Sequence, residues 1–595
     1  MPPLGTPASA MVGMTVSALV SLLLAGLPAR AQPTSAELTR SLRPVSEDML
    51  LHPDPGDWLM WRRTYDGFGY SPLKQITRDN VKNLQVVWAW SLPSGAAEGT
   101  PIVHDGILYI GSYGDRVQAL NAATGDLIWE YRRDLPPKLV ESGGNDLVKR
   151  SMAIFEDKLL ISTSDVHLVA LEAKTGKVLW DHATADWRQG WRYTAGPLVA
   201  RGLVIQGMSG CGNGQPGGCF ISAHDANTGA EKWRVWTIAH PGDPNSESWN
   251  GVPLEARHGD SVWAGGSFDP QQNLVFFGVG EPYPWIAEMR GTLPPKASAG
   301  TTNSALYSDS TLAIDVATGK VRWHYQHLQN DTWDLDDAFE QMLVDLPFKG
   351  TMRKMVVTVG KLGIVEAVDR STGEWLWAQE TVPQNVVESI DPKTGAKTIS
   401  DATIPHMGQS TLNCPSDPGA RGWPATAFNP DTQTLFLPLN EFCAFTTPVP
   451  LEPGQPYTGG GRSTFSRNLV PGSDGNVGRV DALKLTDRST TWSFRQRAPT
   501  TSAVLPTAGG IVFAGGWDRE FRAFDGATGK VLWHIRTNNA VNSFPISYSV
   551  NGKQYIALPV GNGSGQGQEL ATLAPDVALP DDGAVLWVFA LPDKG

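Results

Sequence analysis

Four cysteines are the residues of this 595-residue chain whose type and spacing first suggest chemistry. They stand at positions 211, 219, 414 and 443. No Cys-x-x-Cys-His segment occurs, so a motif for attaching a c-type haem is absent, and zinc-ligand spacing is absent too. In an exported chain, a small even number of cysteines indicates disulfides. Sequence proximity favours Cys211–Cys219 and Cys414–Cys443 among the three pairings that four cysteines allow.

The N-terminus has the pattern of a secretory signal peptide. The run from Met11 to Leu27 is apolar and uncharged, and a small-x-small cleavage pattern ends at Ala31. No Lys or Arg precedes this run, and a transmembrane anchor is the alternative. We expect a cleaved signal peptide over residues 1–31, export to the periplasm, and no membrane span in the mature chain.

Composition separates this chain from helical proteins and from nucleic-acid-binding proteins. It contains 63 Gly, 44 Pro and 22 Trp with 18% charged residues, a mixture that favours many short strands joined by tight turns. The formal net charge is -12, and no run of Lys and Arg offers a groove for a phosphate backbone. Such an acidic surface either steers a basic partner or keeps the protein soluble.

A repeat of the form Ala-x-Asp/Asn-x-x-Thr-Gly-x-x-x-Trp is the strongest internal pattern. In each copy an alternating strand ends at the Asp or Asn, the Thr-Gly segment turns, and a second strand carries the tryptophan inward. Glycine suits the turn because it tolerates a positive φ. Clear copies end at Trp129, Trp180, Trp233, Trp323, Trp377 and Trp533, and a degraded copy ends at Trp492.

Repeats of this size indicate a propeller, because one four-stranded unit cannot bury its own faces and must stack on its neighbours. Seven copies and an N-terminal unit around Trp88 and Trp90 predict eight blades. The strand near residues 585–591 is expected to pair with N-terminal strands and close the ring. The sequence therefore predicts an all-β, eight-bladed β-propeller in a single domain over residues 32–595, with the repeated tryptophans packed between blades.

The repeat resembles the tryptophan-docking motif of the pyrroloquinoline quinone (PQQ)-dependent alcohol dehydrogenases, over nearly all of the mature chain. The same blade occurs in non-catalytic scaffold propellers that help to assemble bacterial outer-membrane proteins. Segments between the repeats must therefore distinguish an enzyme from a scaffold. Several of them resemble the cofactor-binding segments of the dehydrogenases and occur in the family's order, which favours the enzyme.

Seven cofactor contacts are implied by this resemblance. Trp263 stands where the family stacks an indole against the quinone ring, and Arg150 where it has a quinone-binding arginine. Lys361 corresponds to a basic residue near the quinone oxygens. Without the resemblance, Trp263 would be interpreted as a core residue and Arg150 as a surface ion-pair partner. The contacts are Glu98 in AEGTPIV, Arg150 in DLVKRSMA, Thr194 in YTAGPLV, Ser209 and Gly210 in GMSGC, Trp263 in VWAGGSFDP and Lys361 in VGKLGIVEAVDR.

The segment NDTWDLDD resembles the catalytic-aspartate segment of the family and places Asp334 as general base beside the metal. Glu281 in GVGEPYPW stands where the family has a metal-binding Asn. An acid two positions after the catalytic aspartate, here Asp336, marks lanthanide-dependent members; otherwise it belongs to an acidic turn with Asp337. The implied metal ligands are Glu281, Asp334 and Asp336. The implied ion is Ca²⁺, with a lanthanide as the alternative.

The chain departs from the family pattern near the cofactor. Gly144 and Asn145 occupy the positions of the family's adjacent cysteines, which argues against a dedicated methanol enzyme. The family's metal-binding Glu has no counterpart, and Asn213, in the loop between Cys211 and Cys219, is its candidate replacement. The spacing from position 414 to 443 is that of a family disulfide.

The resemblance implies oxidation of an alcohol, primary or bulky secondary, to an aldehyde or ketone with PQQ and one metal ion. Because no haem motif is present, a soluble periplasmic cytochrome c is the expected electron acceptor. The alternatives are a scaffold propeller and a PQQ-dependent sugar or polyol dehydrogenase, since one fold serves several substrates. Trp285, Trp423 and Trp517 are expected at the pocket mouth.

Overall fold

The computed structural model describes residues 33–143, 147–211, 217–292, 303–450, 463–562 and 565–593. The predicted signal peptide over residues 1–31, Gly144, Asn145 and Asn213 lie outside these ranges. Among the described residues, no helix is long and apolar enough to cross a membrane. The α-helices found there are α1 (Ser35–Ser41), α2 (Glu47–Leu51), α3 (Pro137–Ser142), α4 (Ala287–Arg290) and α5 (Gln566–Ala571).

Eight four-stranded antiparallel sheets, numbered I to VIII, make up most of the described chain. The first strand, β1 (Gln85–Leu92), belongs to sheet VIII; the strands of the other sheets follow one another in chain order. Sheet I contains β2 (Ile102–His104), β3 (Ile107–Ser112), β4 (Arg116–Asn121) and β5 (Leu127–Arg132). Sheet II contains β6 (Ala153–Phe155), β7 (Lys158–Ser162), β8 (His167–Glu172) and β9 (Val178–Ala183), and sheet III contains β10 (Leu198–Ala200), β11 (Leu203–Gly207), β12 (Phe220–Asp225) and β13 (Glu231–Trp236).

Insertions beside the strands of sheets IV and VI, and between sheets V and VI, form smaller sheets. In the insertions, β14 (His258–Gly259) pairs with β17 (Pro282–Tyr283), β24 (Val387–Ile390) with β25 (Lys397–Ile399), and β29 (Phe442–Thr447) with both β26 (Thr411–Asn413) and β30 (Thr464–Leu469). Sheet IV contains β15 (Ser267–Asp269), β16 (Leu274–Gly278), β18 (Ser310–Asp315) and β19 (Val321–Gln326), and sheet V contains β20 (Met342–Phe348), β21 (Thr351–Val359), β22 (Ile364–Asp369) and β23 (Trp375–Glu380). Sheet VI contains β27 (Ala427–Asn429), β28 (Thr434–Asn440), β31 (Gly478–Lys484) and β32 (Ser489–Gln496). Sheet VII contains β33 (Leu505–Pro506), β34 (Ile511–Gly515), β35 (Glu520–Asp525) and β36 (Val531–Arg536). Sheet VIII consists of β1 together with β37 (Ile546–Val550), β38 (Lys553–Val560) and β39 (Ala584–Ala590).

In six of the repeats, the tryptophan docks on the next sheet through its indole N–H. Trp129 on β5 donates through Nε1 to the carbonyl oxygen of Ala173 at 3.0 Å, just after β8. Gly176 in the same turn has a φ of +73°, and a Cβ there would lie 2.5 Å from the Trp129 ring. Glycine therefore serves both the turn and the close approach of the indole. The same contact joins Trp180 to Ala226, Trp233 to Val316, Trp323 to Arg370, Trp492 to Gly526 and Trp533 to Leu84.

Sheet VIII joins the two ends of the described chain. Its order is β1-β39-β38-β37, so the last strand lies between β1 and β38. Gln85 pairs with Ala590 and Leu92 with Ala584, while Trp88 on β1 packs against Gly125 of sheet I. The predicted pairing of a C-terminal strand with an N-terminal strand is confirmed, and the class is all-β as expected.

Candidate active site

Most of the predicted site residues line one cavity, which has a volume of about 260 Å³. Cavities of about 690 and 440 Å³ also occur, but their walls contain none of the predicted site residues. The predicted residues in the wall of the smaller cavity are Arg150, Thr194, Ser209, Gly210, Trp263, Glu281, Asp334, Asp336 and Lys361. Segments that are far apart in the sequence therefore meet at one place.

The loop between β19 and β20 carries the candidate base. Asp331 shapes this loop, because its carboxylate accepts hydrogen bonds from the backbone N–H groups of Trp333 at 2.7 Å and Leu335 at 2.6 Å. Asp334 lies between them with a φ of 64°, a left-handed conformation that aspartate adopts more readily than most residues. The loop is thereby held in a shape that places Asp334 and Asp336 in the cavity wall.

Glu281, Asp334 and Asp336 form a buried carboxylate cluster. One oxygen from each lies within 4.8 Å of the others. Glu281 directly precedes β17, and its backbone N–H donates to Asp336 Oδ1 at 3.0 Å. Lys361, shortly after β21, places Nζ 2.5 Å from Asp334 Oδ1 and 2.8 Å from Asp336 Oδ2. Two of the three carboxyl groups, those of Asp334 and Asp336, therefore contact the same ammonium group.

Burial controls the protonation of this cluster. It raises the pKa of Asp334 well above its usual value, and burial together with Asp336 raises the pKa of Glu281 in the same direction. Burial also opposes ionisation of Asp336, but Lys361 and a hydrogen bond with Glu281 hold the pKa of Asp336 below its usual value. Burial acts to lower the pKa of Lys361, yet Asp334 and Asp336 raise it well above its ordinary range. Ionised Asp336 and protonated Lys361 are thus the charged centre.

The cluster fits a hard metal cation. Glu281 Oε2 is buried and makes no hydrogen bond to another described residue, although Oε1 accepts one from Trp285 Nε1 at 3.2 Å. A buried carboxylate oxygen without a partner is costly. Calcium takes several carboxylate and carbonyl oxygens as ligands. A cation at this point would supply the missing partner and favour the ionised forms of all three acids.

Arg150 connects the predicted cofactor contacts. Its Nε donates to Glu98 Oε2 at 3.0 Å, and its guanidinium carbon lies 5.4 Å from the ring centre of Trp263 and 5.5 Å from that of Trp423. Its backbone N–H donates to the carbonyl oxygen of Thr194 at 3.0 Å. Glu98 is fully buried and lies outside the cavity wall, so it contacts the site through Arg150. Together these residues offer aromatic faces and a cation to a planar, carboxylate-bearing ligand.

The cavity wall also contains polar residues that the sequence did not indicate. They lie in loops, in the two-residue strand β17 and in the short helix α5, where no local pattern marks them. Of the three tryptophans expected at the mouth, Trp285 and Trp423 line the cavity, but Trp517 does not. Its ring lies 2.5 Å from the position of a Cβ on Gly567, which shows that it packs under α5. The polar residues that were missed are Arg192, Ser261, Tyr283, Asp417, Gln566 and Glu569.

Both expected disulfides are present and flank the cavity. Cys211 bonds to Cys219, and Cys414 bonds to Cys443. Cys211 directly follows Gly210 in the wall, and Cys414 precedes Asp417 by three positions. The disulfides therefore anchor two wall segments that lack regular secondary structure.

The sheets dock on one another through tryptophans, and the cavity combines an arginine, a tryptophan face and a carboxylate–lysine cluster. These features define a class of cofactor-binding β-propellers. The family model described as the PQQ glucose/ethanol/alcohol dehydrogenase β-propeller domain matches residues 58–393 and 474–556. The chain therefore belongs to the family of PQQ-dependent alcohol dehydrogenases. The resemblance inferred from the repeats is confirmed, and the scaffold alternative is not favoured.

Relatives cover nearly the whole chain. The quinoprotein ethanol dehydrogenase of Pseudomonas aeruginosa is 31% identical over 582 residues, which span 90% of this chain and 91% of that protein. The quinohemoprotein alcohol dehydrogenase of Comamonas testosteroni is 33% identical over 534 residues, or 85% of this chain and 73% of the relative. A europium-containing methanol dehydrogenase superposes with a TM-score of 0.83 at 28% identity, covering 92% of this chain and 100% of that one.

Proposed function

We propose that this protein oxidises an alcohol, primary or bulky secondary, to an aldehyde or ketone with PQQ and one metal ion. The observation that carries the proposal is the meeting of Asp334, Lys361 and two further buried carboxylates in the same cavity as Arg150 and Trp263. A base, a cation and a flat aromatic wall are the groups that such a reaction requires. Family membership supports the same activity.

In the proposed mechanism, Asp334 takes the hydroxyl proton of the alcohol. Lys361 positions Asp334 through the 2.5 Å contact and stabilises negative charge that develops beside it. When bound, PQQ supplies the acceptor for two electrons and the metal supplies Lewis acidity. Arg150, Thr194, Ser209, Gly210 and Trp263 would hold PQQ, and Glu281, Asp334 and Asp336 would hold the metal.

The ion that we propose is Ca²⁺, whose preference for oxygen ligands matches the carboxylate cluster. A lanthanide is the second candidate, because Asp336 lies within the buried cluster and a third carboxylate favours a trivalent ion electrostatically. The structural similarity to a europium-containing methanol dehydrogenase supports testing both.

We further propose that residues 1–31 are a signal peptide and that residues 32–595 form one periplasmic domain whose eight sheets are its eight blades. A soluble cytochrome c is the proposed electron acceptor. The net charge of -12 supports attraction of a basic partner, and the sequence holds no Cys-x-x-Cys-His motif of its own.

The deciding experiment is dye-linked oxidation of 1-butanol and of a bulky secondary alcohol by cofactor-free protein. PQQ would be added alone, with Ca²⁺, and with La³⁺. We expect activity only with PQQ and a metal, together with PQQ-dependent quenching of tryptophan fluorescence from Trp263 and Trp423. Absence of both quenching and activity in every combination would overturn the proposal, whereas quenching without turnover would leave the site and reject the choice of alcohols.

A further inference from the structure

A second group of charged side chains lies beside the carboxylate cluster, in the same cavity wall. Asp417 and Glu569, here called the Asp417–Glu569 pair, both line the cavity. Arg467 Nη2 lies 3.5 Å from Asp417 Oδ2 and also forms an ion pair with Glu569. The Asp417 side chain is 11% exposed and that of Glu569 is 39% exposed, so the pair reaches from the interior of the cleft to solvent.

The pair is held in place by several structural elements. Asp417 lies in the loop that Cys414 anchors, Glu569 on α5 and Arg467 on β30. Gln566 Nε2 on α5 donates to the carbonyl oxygens of Pro418 at 3.2 Å and Gly419 at 3.3 Å. The helix and the loop are thereby tied together, so the two carboxyl groups have defined positions before any substrate enters.

The pair lies next to the groups that would react with an alcohol. A Cβ on Gly419 would lie 2.5 Å from Lys361 Cβ, and the charge of Asp417 acts on the pKa of both Asp334 and Lys361. On the other side, the Arg467 guanidinium lies 5.2 Å from the ring centre of Phe465. The ring centres of Phe465 and Trp285 are 6.4 Å apart. A substrate with its hydroxyl at Asp334 would therefore lie in a cavity that this pair also lines.

The chemistry of the pair suits a hydroxyl group. Burial and the neighbouring Asp417 raise the pKa of Glu569. The two carboxyl groups present several acceptor oxygens in the cavity wall. A hydroxyl both donates and accepts hydrogen bonds. An alkyl group at the same place would displace water from polar groups without replacing its hydrogen bonds, which is unfavourable.

We propose that Asp417 and Glu569 form a hydroxyl-binding subsite that selects alcohols carrying a second hydroxyl group a few carbons from the reacting one. Arg467 is the positioning residue that holds the pair. This inference rests on the proposed alcohol oxidation and names its preferred substrate class.

The test compares kcat/KM for 1-butanol and 1,3-butanediol, which differ by one hydroxyl, with the protein loaded with PQQ and metal. We expect a preference for the diol of about tenfold or more, which corresponds to about 1.4 kcal/mol. Glu569→Leu should abolish this preference mainly by raising KM for the diol. Glu569→Gln should keep part of it, because an amide retains an acceptor oxygen at the same place. Asp576→Leu is the matched control, since Asp576 follows α5 with its side chain 59% exposed.

Three outcomes overturn the inference. The first is equal efficiency with both alcohols in the unmodified protein, and the second is an equal loss for both in Glu569→Leu. If Glu569→Leu does not fold by thermal unfolding, Asp417→Asn replaces it, and an unchanged diol preference in that variant is the third. Failure to oxidise either alcohol under any loading would instead overturn the proposed function, and the inference with it.

Discussion

The carboxylate of Asp334 is the single group on which the proposed chemistry depends most directly. We expect Asp334→Asn to lower kcat by about 10²–10⁴-fold, the range that a general base contributes. Quenching of tryptophan fluorescence by PQQ should persist, because Arg150 and Trp263 are unchanged. Asp474→Asn is a matched control, since Asp474 is exposed and also has a positive φ of 52°. A kcat for Asp334→Asn near that of this control would contradict the role.

Arg150 links cofactor binding to stability. We expect Arg150→Ala to weaken PQQ binding by about tenfold or more, roughly 1.4 kcal/mol, in a fluorescence titration. It should also lower the free energy of unfolding, because fully buried Glu98 loses its guanidinium partner. Adding Glu98→Gln to this variant should restore part of the stability but none of the PQQ affinity. Recovery of both, or of neither, would contradict this division of roles.

The sequence made some of these residues predictable and left others hidden. Arg150, Trp263 and Asp334 lie in contiguous segments that resemble a known family, so their convergence in one cavity was expected. Asp417 and Glu569 meet only because a loop and a six-residue helix are hydrogen-bonded to each other. No periodicity or motif connects positions so far apart, and the shape of a loop depends on tertiary contacts rather than local pattern.

The repeat turns were the elements most readily predicted from the sequence. Each needs glycine for two separate reasons, a positive φ and the close approach of a tryptophan ring. A comparison of Gly176→Ala with Gly202→Ala separates these reasons. Both residues have a positive φ, +73° at Gly176 and +71° at Gly202. A Cβ added at Gly176 would lie 2.5 Å from the Trp129 ring, whereas a Cβ added at Gly202 would have no neighbour within 4 Å. We expect Gly202→Ala to cost about 1 kcal/mol and Gly176→Ala about 1–3 kcal/mol more in denaturant unfolding. Equal losses would show that the turn alone requires glycine.

A buried ion-pair network joins sheets IV and V. Glu366 on β22 contacts His327 Nδ1 at 2.8 Å, just after β19, and Lys397 Nζ at 2.8 Å. Burial opposes its ionisation, but Lys397 and His327 lower the pKa of Glu366 from 4.5 to about 2. Because the pKa of Glu366 is lower in the folded state than in the unfolded state, its ionised form stabilises the folded protein above pH 4.5. This contribution to stability is lost as the pH falls toward 2.

Glu366→Gln should therefore lower the free energy of unfolding at neutral pH by up to about 3 kcal/mol. Its Tm should also fall less steeply with acidification than that of the unmodified protein. Thermal unfolding measured at a series of pH values checks both effects. Glu374→Gln serves as control, because its carboxylate is 69% exposed. Parallel curves for Glu366→Gln and the unmodified protein would contradict the expectation.

At the scale of the whole molecule, stability depends on the strand that closes the ring. Deleting the chain from residue 584 onward removes β39, which pairs with both β1 and β38. We expect this truncation to abolish cooperative thermal unfolding followed by circular dichroism. Deleting residues 592–595 should leave Tm unchanged, because the side chain of Asp593 is 87% exposed and its ion pair with Lys553 contributes little. If the variant that lacks residues 584–595 still unfolds cooperatively, β39 is not required for the stability of the fold.

Because β1 pairs with the last strand, sheet VIII cannot be completed until the C-terminal end of the chain has been synthesised. During synthesis β1 is made early, but its one strand partner in sheet VIII is β39. Contacts between residues so distant along the chain form slowly. Until then β1 presents an unpaired edge, the kind of surface through which incomplete chains associate. A nascent chain with sheets I to VII complete therefore still has an unpaired β1, which other incomplete chains can pair with until β39 has been made.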